Sequence, residues 1–127
     1  MIAYVETSAA AKLIAREAET TALEAFLDDD ATHALSSVLL ETELRRAASR
    51  EGIDQQRVTD VLDRMDIVDL DRATYSHAGL LPGPHLRSLD ALHVAAAMAT
   101  GADLVVSYDV RQIRAAAAAG VSTVSPR

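Results

Sequence analysis

The sequence predicts an α/β fold, a three-layer α/β/α sandwich in which helices cover both faces of one parallel sheet. Short apolar runs alternate with stretches of helical character along the whole chain. Strands that are separated by helices pair in parallel through right-handed crossovers, which place helices on both faces of the sheet. The 127 residues, 50% of them hydrophobic, suffice for a single domain, 1–127, around one core.

Five short runs rich in apolar residues are the predicted strands. The carboxyl ends of parallel strands meet at one edge of a sheet, and ligands of open α/β proteins bind at that edge. A polar residue that follows one of these runs is therefore a candidate for function. The runs are Ile2–Val5, Thr32–Leu35, Ile67–Leu70, Leu104–Ser107 and Val121–Val124.

Seven helices are predicted around these strands. Serine and aspartate are favoured N-caps, so Ser36 or Ser37, Asp54 and Ser88 are expected to cap the helices that follow them. Gly52 is expected to end the longest helix. The predicted helices are Ser8–Arg16, Glu19–Leu27, a helix from Ser36 or Ser37 to Arg50, Gln55–Met65, a stretch from Asp71 toward Leu80, Leu89–Thr100 and Val110–Ala119.

Composition narrows the classes of function. The net charge of −7 argues against binding nucleic acid by bulk electrostatic attraction, and 3% aromatic residues without tryptophan argue against a base-stacking platform. The absence of cysteine excludes disulfides and thiolate metal sites. No apolar run approaches the ~18 residues of a membrane span, so the cytoplasm is the expected location. Lys12 is the only lysine, and the remaining basic charge is arginine, which suits forked contacts with phosphate.

Two acids follow predicted strands. Glu6 comes directly after the first strand, and Asp109 lies two residues after Ser107, the end of the fourth. Each also has a purely structural interpretation. An acid near a helix N-terminus is stabilised by the helix dipole, and aspartate is a good N-cap.

Glu43, in the stretch SSVLLETELRRA, is predicted to lie on the core side of its helix. Residues three and four apart share a helix face, so Glu43 lies on the side of Leu40. Glu41 instead stands four residues before Arg45, a common exposed ion pair. A buried acid is costly unless it binds a metal or is paired, for which Arg46 is available.

Asp90 lies in the first turn of a helix, after a loop at 81–88 in which prolines bracket a glycine. In the structural interpretation, the negative charge of Asp90 interacts favourably with the N-terminal end of the helix dipole, which stabilises the helix by ~0.3–1 kcal/mol. His93 stands three residues on and is able to lie beside it as a second metal ligand. We favour a packed or hydrogen-bonding role for His93, because hard ions in oxygen-rich sites do not need imidazole.

Together the four acids indicate a metal site. If the first and fourth strands are neighbours, Glu6, Glu43, Asp90 and Asp109 converge on one cleft, where their charges repel one another. A hard divalent cation, Mg²⁺ or Mn²⁺, relieves this repulsion. Such a cation neutralises a phosphate, orients a water and lowers the pKa of that water. The pattern therefore predicts a site that cleaves phosphodiester bonds, and the cation lets an acidic protein approach RNA.

Four stretches resemble, in order, the motifs of the PIN-domain family, and most closely the VapC-type toxins of bacterial toxin–antitoxin pairs. They are YVETSAAAKL, SSVLLETELRRA, LRSLDALHVAAA and VVSYDVRQIRAAAAAG. They cover both ends of the chain, whereas Gly52–Leu81 matches only in pattern. The resemblance implies a Mg²⁺-dependent endoribonuclease with a five-strand parallel sheet ordered 3-2-1-4-5. It carries over Glu43, Asp90 and Asp109 as acidic-site residues, with Asp90 a metal ligand.

The resemblance also implies partners. It implies a toxin homodimer and a cognate antitoxin whose C-terminal segment blocks the cleft, often with an arginine among the carboxylates. No part of the resemblance implies a membrane.

Glu6 departs from the family pattern, which has aspartate at this position. Glutamate keeps the charge but is one methylene longer. Mg²⁺ demands near-ideal octahedral geometry at ~2.0–2.1 Å, so the extra length shifts the metal or places a water between them. Three explanations are open: a working natural variant, a natural variant with reduced activity, or a change introduced to make a toxic protein tolerable to express.

The resulting hypothesis is an endoribonuclease toxin that uses a metal-activated water. Asp90 and Glu6 hold Mg²⁺, directly or through water, while Glu43 and Asp109 complete the acidic ring. The latter two orient the attacking water or hold a second ion, and the expected products carry a 5′-phosphate and a 3′-hydroxyl. Candidate contacts to RNA phosphates, or otherwise solvated surface charges, are Arg87, Arg111 and Arg114.

Two other classes of protein remain open. A phosphoacceptor signalling domain also gathers acids around Mg²⁺ at strand ends. It needs an acid pair after the first strand and a lysine near the fifth, whereas this chain has one acid there and no lysine beyond Lys12. The other class is a PIN-like binding module that has lost catalysis and only sequesters a partner, and Glu6 is the feature that supports it.

Overall fold

The computed structural model, which describes all residues, 1–127, contains five strands with one or two helices between successive strands, seven helices in all. The strands are β1 Ile2–Val5, β2 His33–Ser37, β3 Asp66–Val68, β4 Leu104–Val106 and β5 Ser122–Val124. The helices are α1 Thr7–Ile14, α2 Thr20–Leu27, α3 Val38–Glu51, α4 Gln55–Asp63, α5 Arg72–Leu80, α6 Ser88–Ala99 and α7 Val110–Ala118. The longest, α3, has 14 residues, and none of the helices has the length and apolar character needed to cross a membrane.

The strands form one parallel sheet in the order β3-β2-β1-β4-β5, so the predicted strand order is confirmed. Side chains alternate between the two faces of the sheet. Ala3 and Val5 lie in a core with residues of α1 to α4, whereas Tyr4 lies in a second core with alanines of α6. Helices therefore cover both faces, as the sequence predicted.

The twelve elements occur in the predicted order, with ends that differ by a few residues. Strand β2 extends through Ser36 and Ser37, which the sequence assigned to the start of α3. Ser36 Oγ donates to the carbonyl of Val5 at 2.6 Å, and Ser37 Oγ bonds the hydroxyl of Tyr4 at 2.8 Å. The two serine side chains thus form hydrogen bonds with residues of β1, and neither side chain caps α3.

The predicted cap at Asp54 is confirmed, whereas the predicted serine cap of α6 is wrong. Asp54 and Asp71 each accept a hydrogen bond from a backbone N–H of the helix that follows. Ser88 is the first residue of α6, and Arg87 occupies the N-cap position without a side-chain capping bond. Gly52 ends α3 with a φ of 67°, a left-handed conformation that glycine adopts without steric cost.

The register of the sheet aligns the carboxyl ends of β1 and β4. Val5 pairs with Val106, and the backbone N–H of Glu6 donates to the carbonyl of Val106 at 3.1 Å. The residues that follow these two central strands therefore lie side by side at one edge of the sheet.

Candidate active site

The carboxyl edge of the sheet carries all four acids that the sequence singled out. Glu6 follows β1 and Asp109 follows β4, while Glu43 lies in the second turn of α3, which leaves β2 at this edge. Asp90 lies in the first turn of α6, and because α6 leads back to the start of β4, its N-terminus is at the same edge. Different hydrogen-bond partners hold Glu6, Glu43 and Asp109, and the carboxylate of Asp90 makes no hydrogen bond within the protein.

Glu6 is held by hydroxyl groups. It is only 5% exposed, and its Oε2 accepts hydrogen bonds from Ser8 Oγ at 2.5 Å and Ser107 Oγ at 2.7 Å. Both hydroxyl oxygens also accept hydrogen bonds from backbone N–H groups of the turn between β4 and α7. Ser8 Oγ accepts from the N–H of Tyr108 at 2.9 Å, and Ser107 Oγ accepts from the N–H of Asp109 at 3.1 Å. Glu6 therefore fixes the turn that carries Asp109, and only one of its carboxylate oxygens is used in doing so.

Glu43 stands at the end of a buried chain of hydrogen bonds. Its Oε1 accepts from Thr7 Oγ1 at 2.7 Å and from His93 Nε2 at 2.5 Å. An ionised carboxylate only accepts, so Nε2 carries a proton in this pair. His93 is 2% exposed, and its Nδ1 bonds the hydroxyl of Tyr4 at 2.8 Å, which bonds Ser37 in turn. The hydrogen-bonding role that the sequence favoured for His93 is confirmed.

The partners of Glu43 favour its ionised form. Burial raises the pKa of this carboxyl, but the hydrogen bond and charge of His93, with the bond from a threonine hydroxyl, outweigh burial and hold the pKa of Glu43 below its usual range. Arg46, the alternative partner, makes no ion pair with it. Glu41 and Arg45 form the exposed pair that their spacing predicted, at 3.9 Å.

Replacement of Glu43 by glutamine should reduce stability at neutral pH but not in acid. The pKa of Glu43 is lower in the folded than in the unfolded chain. Its ionised form therefore contributes stability that is present above the unfolded pKa and is lost as the pH falls through the folded pKa. Urea unfolding of wild type and Glu43→Gln should give a difference in free energy of unfolding that is largest near neutral pH and shrinks below pH ~4. A difference that does not depend on pH would contradict this ionisation state.

Asp90 and Asp109 form the remaining part of the site, and both are half-buried. Burial raises the pKa of Asp90 and the nearby charge of Asp109 raises it further, against the opposing charges of His93, Arg111 and Arg87. Asp109 Oδ1 also accepts the backbone N–H of Arg111 at 2.9 Å and so caps α7, as its structural interpretation predicted. The carboxylate of Asp109 therefore caps α7 and at the same time acts on the pKa of Asp90 through its charge.

The donor atoms fit a hydrated hard cation. All four acids offer carboxylate oxygen, and the mutual repulsion of Asp90 and Asp109 is of the kind that a cation relieves. No three acidic or histidine side chains meet in a ready-made ligand cluster, and Glu6 is turned toward its serines. Since Mg²⁺ usually keeps several waters and takes one or two protein carboxylates, Asp90 and Asp109 suffice as direct ligands.

The hydroxyl groups that position the acids were not predicted from the sequence. Ser8 and Ser107 bind Glu6, and Thr7 binds Glu43. A signal for them exists, because ETS and SYD place a hydroxyl residue next to an acid where a buried strand ends, and a buried polar side chain requires a partner. Neither hydroxyl caps α1, which begins at Thr7 without a side-chain capping bond.

These features define an α/β protein with a 3-2-1-4-5 parallel sheet and an acidic site at its carboxyl edge. The PIN domain family model matches residues 3–118, and the chain belongs to the PIN-domain family. Within that family it is of VapC type. Ribonuclease VapC35 of Mycobacterium tuberculosis is 41% identical over 131 residues, covering 97% of this chain and 96% of that protein. Ribonuclease VapC47 of the same species is 36% identical over 130 residues with the same coverage.

Solved structures share the fold. VapC20 of Mycobacterium tuberculosis, described as a sarcin–ricin loop cleaving toxin, aligns with a TM-score of 0.76 at 18% identity, covering 98% of this chain and 99% of that chain. VapBC2 of Rickettsia felis, bound to a DNA fragment from its promoter, aligns with a TM-score of 0.74 at 18% identity over 100% of both chains. The family resemblance and the strand order that it implied are thereby confirmed.

The phosphoacceptor alternative finds no support in this site. Lys12 binds Glu17 at 2.6 Å and Glu19 at 3.1 Å, and its ammonium group lies over the ring of Tyr108. The only lysine is thus committed to structural ion pairs, and a single acid, Glu6, follows β1.

Proposed function

We propose that this chain is a Mg²⁺-dependent endoribonuclease toxin of a toxin–antitoxin pair, with Mn²⁺ able to replace Mg²⁺. The observation that carries the proposal is the gathering of Glu6, Glu43, Asp90 and Asp109 at one edge of the sheet. The similarity over nearly the whole chain to proteins named as ribonucleases supports it. An acidic centre repels an RNA backbone unless a cation offsets the charge. The cytoplasm is the compartment in which such a toxin would act.

Each acid has a proposed role. Asp90 and Asp109 would hold the ion, and Glu6, whose Oε2 is bound by two serines, would reach it through water. Asp109 thus gains a share in metal binding that the sequence hypothesis gave to Glu6. When bound, the ion neutralises the phosphate and lowers the pKa of a water. Glu43, anchored through Oε1, orients the attacking water with its other oxygen.

The chemistry is hydrolysis at phosphorus. The oxygen of water forms a bond to phosphorus, and the bond from phosphorus to the 3′ oxygen of the preceding nucleotide breaks. Glu43 Oε2 accepts a hydrogen bond from the attacking water, and the lowered pKa of Glu43 keeps it ionised for this role. The attacking water releases one proton to solvent and the 3′ oxygen takes one up from solvent as it leaves, so the products carry a 3′-hydroxyl and a 5′-phosphate.

The partners in this proposal are RNA, a second copy of the chain and a cognate antitoxin. The C-terminal segment of the antitoxin would block the cleft, with an arginine guanidinium among the carboxylates in forked, charge-assisted hydrogen bonds. The similarity of the fold to VapBC structures supports an antitoxin partner.

A second candidate function is a PIN-domain binding module with weak or no cleavage. Two observations favour it: Glu6 is turned toward Ser8 and Ser107, and no three potential ligands form a cluster. In such a module the acids would serve only to bind basic groups of a partner.

Cleavage by the wild type and by Glu6→Asp distinguishes the two candidates. Each protein, free of antitoxin, is incubated with total RNA and Mg²⁺, with EDTA as the control, and the cleaved ends are mapped by sequencing. We expect both to cut at the same site, because Glu6 acts through water. Their rates should differ by no more than about tenfold, the lower end of the loss that follows changes around a metal's ligands.

The other outcomes of this comparison are equally informative. Cleavage by Glu6→Asp alone would mean that the glutamate disables an otherwise competent site. If neither protein cuts RNA and neither takes up metal, the nuclease proposal fails and the binding module takes its place.

A further inference from the structure

A cleft of about 630 Å³ adjoins the acidic site, between the loop at 82–87 and α7. Asp90 belongs to its lining, so the cleft reaches one of the four acids. Arg87 on the loop and Arg111 and Arg114 on α7 supply its basic groups, and all three are exposed. A cleft of this size accommodates a few nucleotides of a single strand rather than a duplex.

The guanidinium groups of this cleft have no partners within the protein. Arg87, Arg111 and Arg114 make neither an ion pair nor a side-chain hydrogen bond, although the chain has an excess of acids. Arg16, Arg45, Arg64 and Arg127 form ion pairs with carboxylates outside the cleft, whereas Arg46 and Arg50, in a second cleft beside Glu43, also make none. The cleft is therefore a local concentration of free positive charge on a protein whose net charge is −7.

The placement of the three arginines suits a chain of phosphates. Arg111 and Arg114 stand three residues apart, so they lie side by side on one face of α7. Arg87 belongs to the loop that forms the other wall, so a group bound between the walls meets donors from both. The guanidinium fork matches the oxygens of phosphate in paired hydrogen bonds.

We infer that this cleft binds the sugar–phosphate backbone of single-stranded RNA beside the bond that the acids cleave, an inference that rests on the proposed function. RNA carries a phosphate at every nucleotide, so a strand held by Arg111 and Arg114 presents a neighbouring phosphodiester to Asp90. An acidic peptide would meet the same arginines, but it offers no phosphodiester bond to the acids beside the cleft. The cleft thus supplies the local positive charge that the overall composition lacks.

Equilibrium binding of RNA tests this inference without relying on cleavage. The probe is a short fluorescein-labelled single-stranded RNA of mixed sequence, followed by fluorescence anisotropy over a series of KCl concentrations, with Ca²⁺ in place of Mg²⁺. The test variant is Arg111→Ala/Arg114→Ala, in which α7 is preserved because alanine is the best helix former. The control is Arg16→Ala/Arg64→Ala, which removes the same charge at the opposite, amino edge of the sheet.

We expect the test variant to bind RNA at least about tenfold more weakly than the wild type at moderate salt, and the control to bind like the wild type. The slope of log affinity against log salt should fall by about 1.4 in the test variant, since each phosphate contact on a single strand contributes ~0.7. Circular dichroism verifies that both variants are folded.

Three results would overturn the inference. They are equal losses in the test variant and the control, no binding of RNA by the wild type, and a loss of affinity for a labelled poly-glutamate peptide with RNA binding unchanged. Its failure is separable from that of the proposed function. If the variants bind RNA as expected but the wild type leaves RNA intact in Mg²⁺, the cleft is an RNA site and the nuclease proposal fails.

Discussion

The variant Asp90→Asn is expected to lose RNA cleavage by at least about 100-fold while its fold becomes no less stable. The amide is neutral and a poor ligand for a hard cation, so the proposed metal centre loses one of its two direct ligands. Stability should hold or rise because the pKa of Asp90 is raised in the folded chain by burial and by Asp109. A raised pKa means that the ionised carboxylate costs stability above that pKa, and the amide removes this cost.

Two measurements on the same samples check this expectation: the initial rate of cleavage in Mg²⁺ and the midpoint of urea unfolding. The matched control is Asp60→Asn, which removes the same charge at an exposed position of α4. Its oxygen accepts from Gln56 Nε2 at 2.9 Å, a bond that an amide oxygen preserves. Full Mg²⁺-dependent cleavage by Asp90→Asn would contradict the proposed mechanism. A large loss of stability in this variant would mean that Asp90 has a structural role.

The variant His93→Leu should be less stable than the wild type by about 2–3 kcal/mol. Leucine fills a similar volume but forms no hydrogen bonds. The hydroxyl of Tyr4 then retains only its hydrogen bond with Ser37, and the carboxylate of Glu43 retains only its hydrogen bond with Thr7. Burial raises the pKa of Tyr4 well above its usual range, so the phenol stays neutral and must be satisfied by hydrogen bonds. The side chain of Glu43 is 27% exposed, and water recovers part of the loss.

Urea unfolding near neutral pH measures this effect, with Thr7→Val as the companion variant. Valine removes the second hydrogen bond to Glu43 Oε1 but leaves His93 and Tyr4 in contact, so we expect a loss of about 1 kcal/mol. If His93→Leu is no less stable than Thr7→Val, the buried chain of hydrogen bonds contributes little. Cleavage rates of the two folded variants then report whether the orientation of Glu43 matters for activity.

The position of the acids could be predicted because it follows from the direction of the strands. Glu6 and Asp109 follow apolar runs that are separated by helices. Strands connected through helices pair in parallel, and parallel strands end at the same edge of the sheet. The placement of Glu43 on the inner side of α3 follows from helical periodicity in the same way. The strand order came from the family resemblance, since no spacing within the sequence specifies which strands are neighbours.

The partners of the acids could not be predicted, because they depend on contacts between distant parts of the chain. Ser107 and Glu6 are 101 residues apart, and His93 and Glu43 are 50 apart. The failed cap at Ser88 has a related cause. A serine before an apolar run satisfies the local rule, but the helix extends one residue further toward the loop and takes Arg87 as its boundary.

The bond between Glu6 and Ser107 joins β1 to a segment that is synthesised 101 residues later. Until β4 has been translated, one side of β1 has no neighbouring strand and the turn that carries Asp109 does not exist. The proposed ribonuclease centre would therefore be assembled only after β4 and Asp109 have been translated, and a shorter nascent chain would lack one of its four acids. Pairing between strands so distant in sequence is also slow to form. Under the proposed function, this delay would leave time for an antitoxin to be present before the centre is complete.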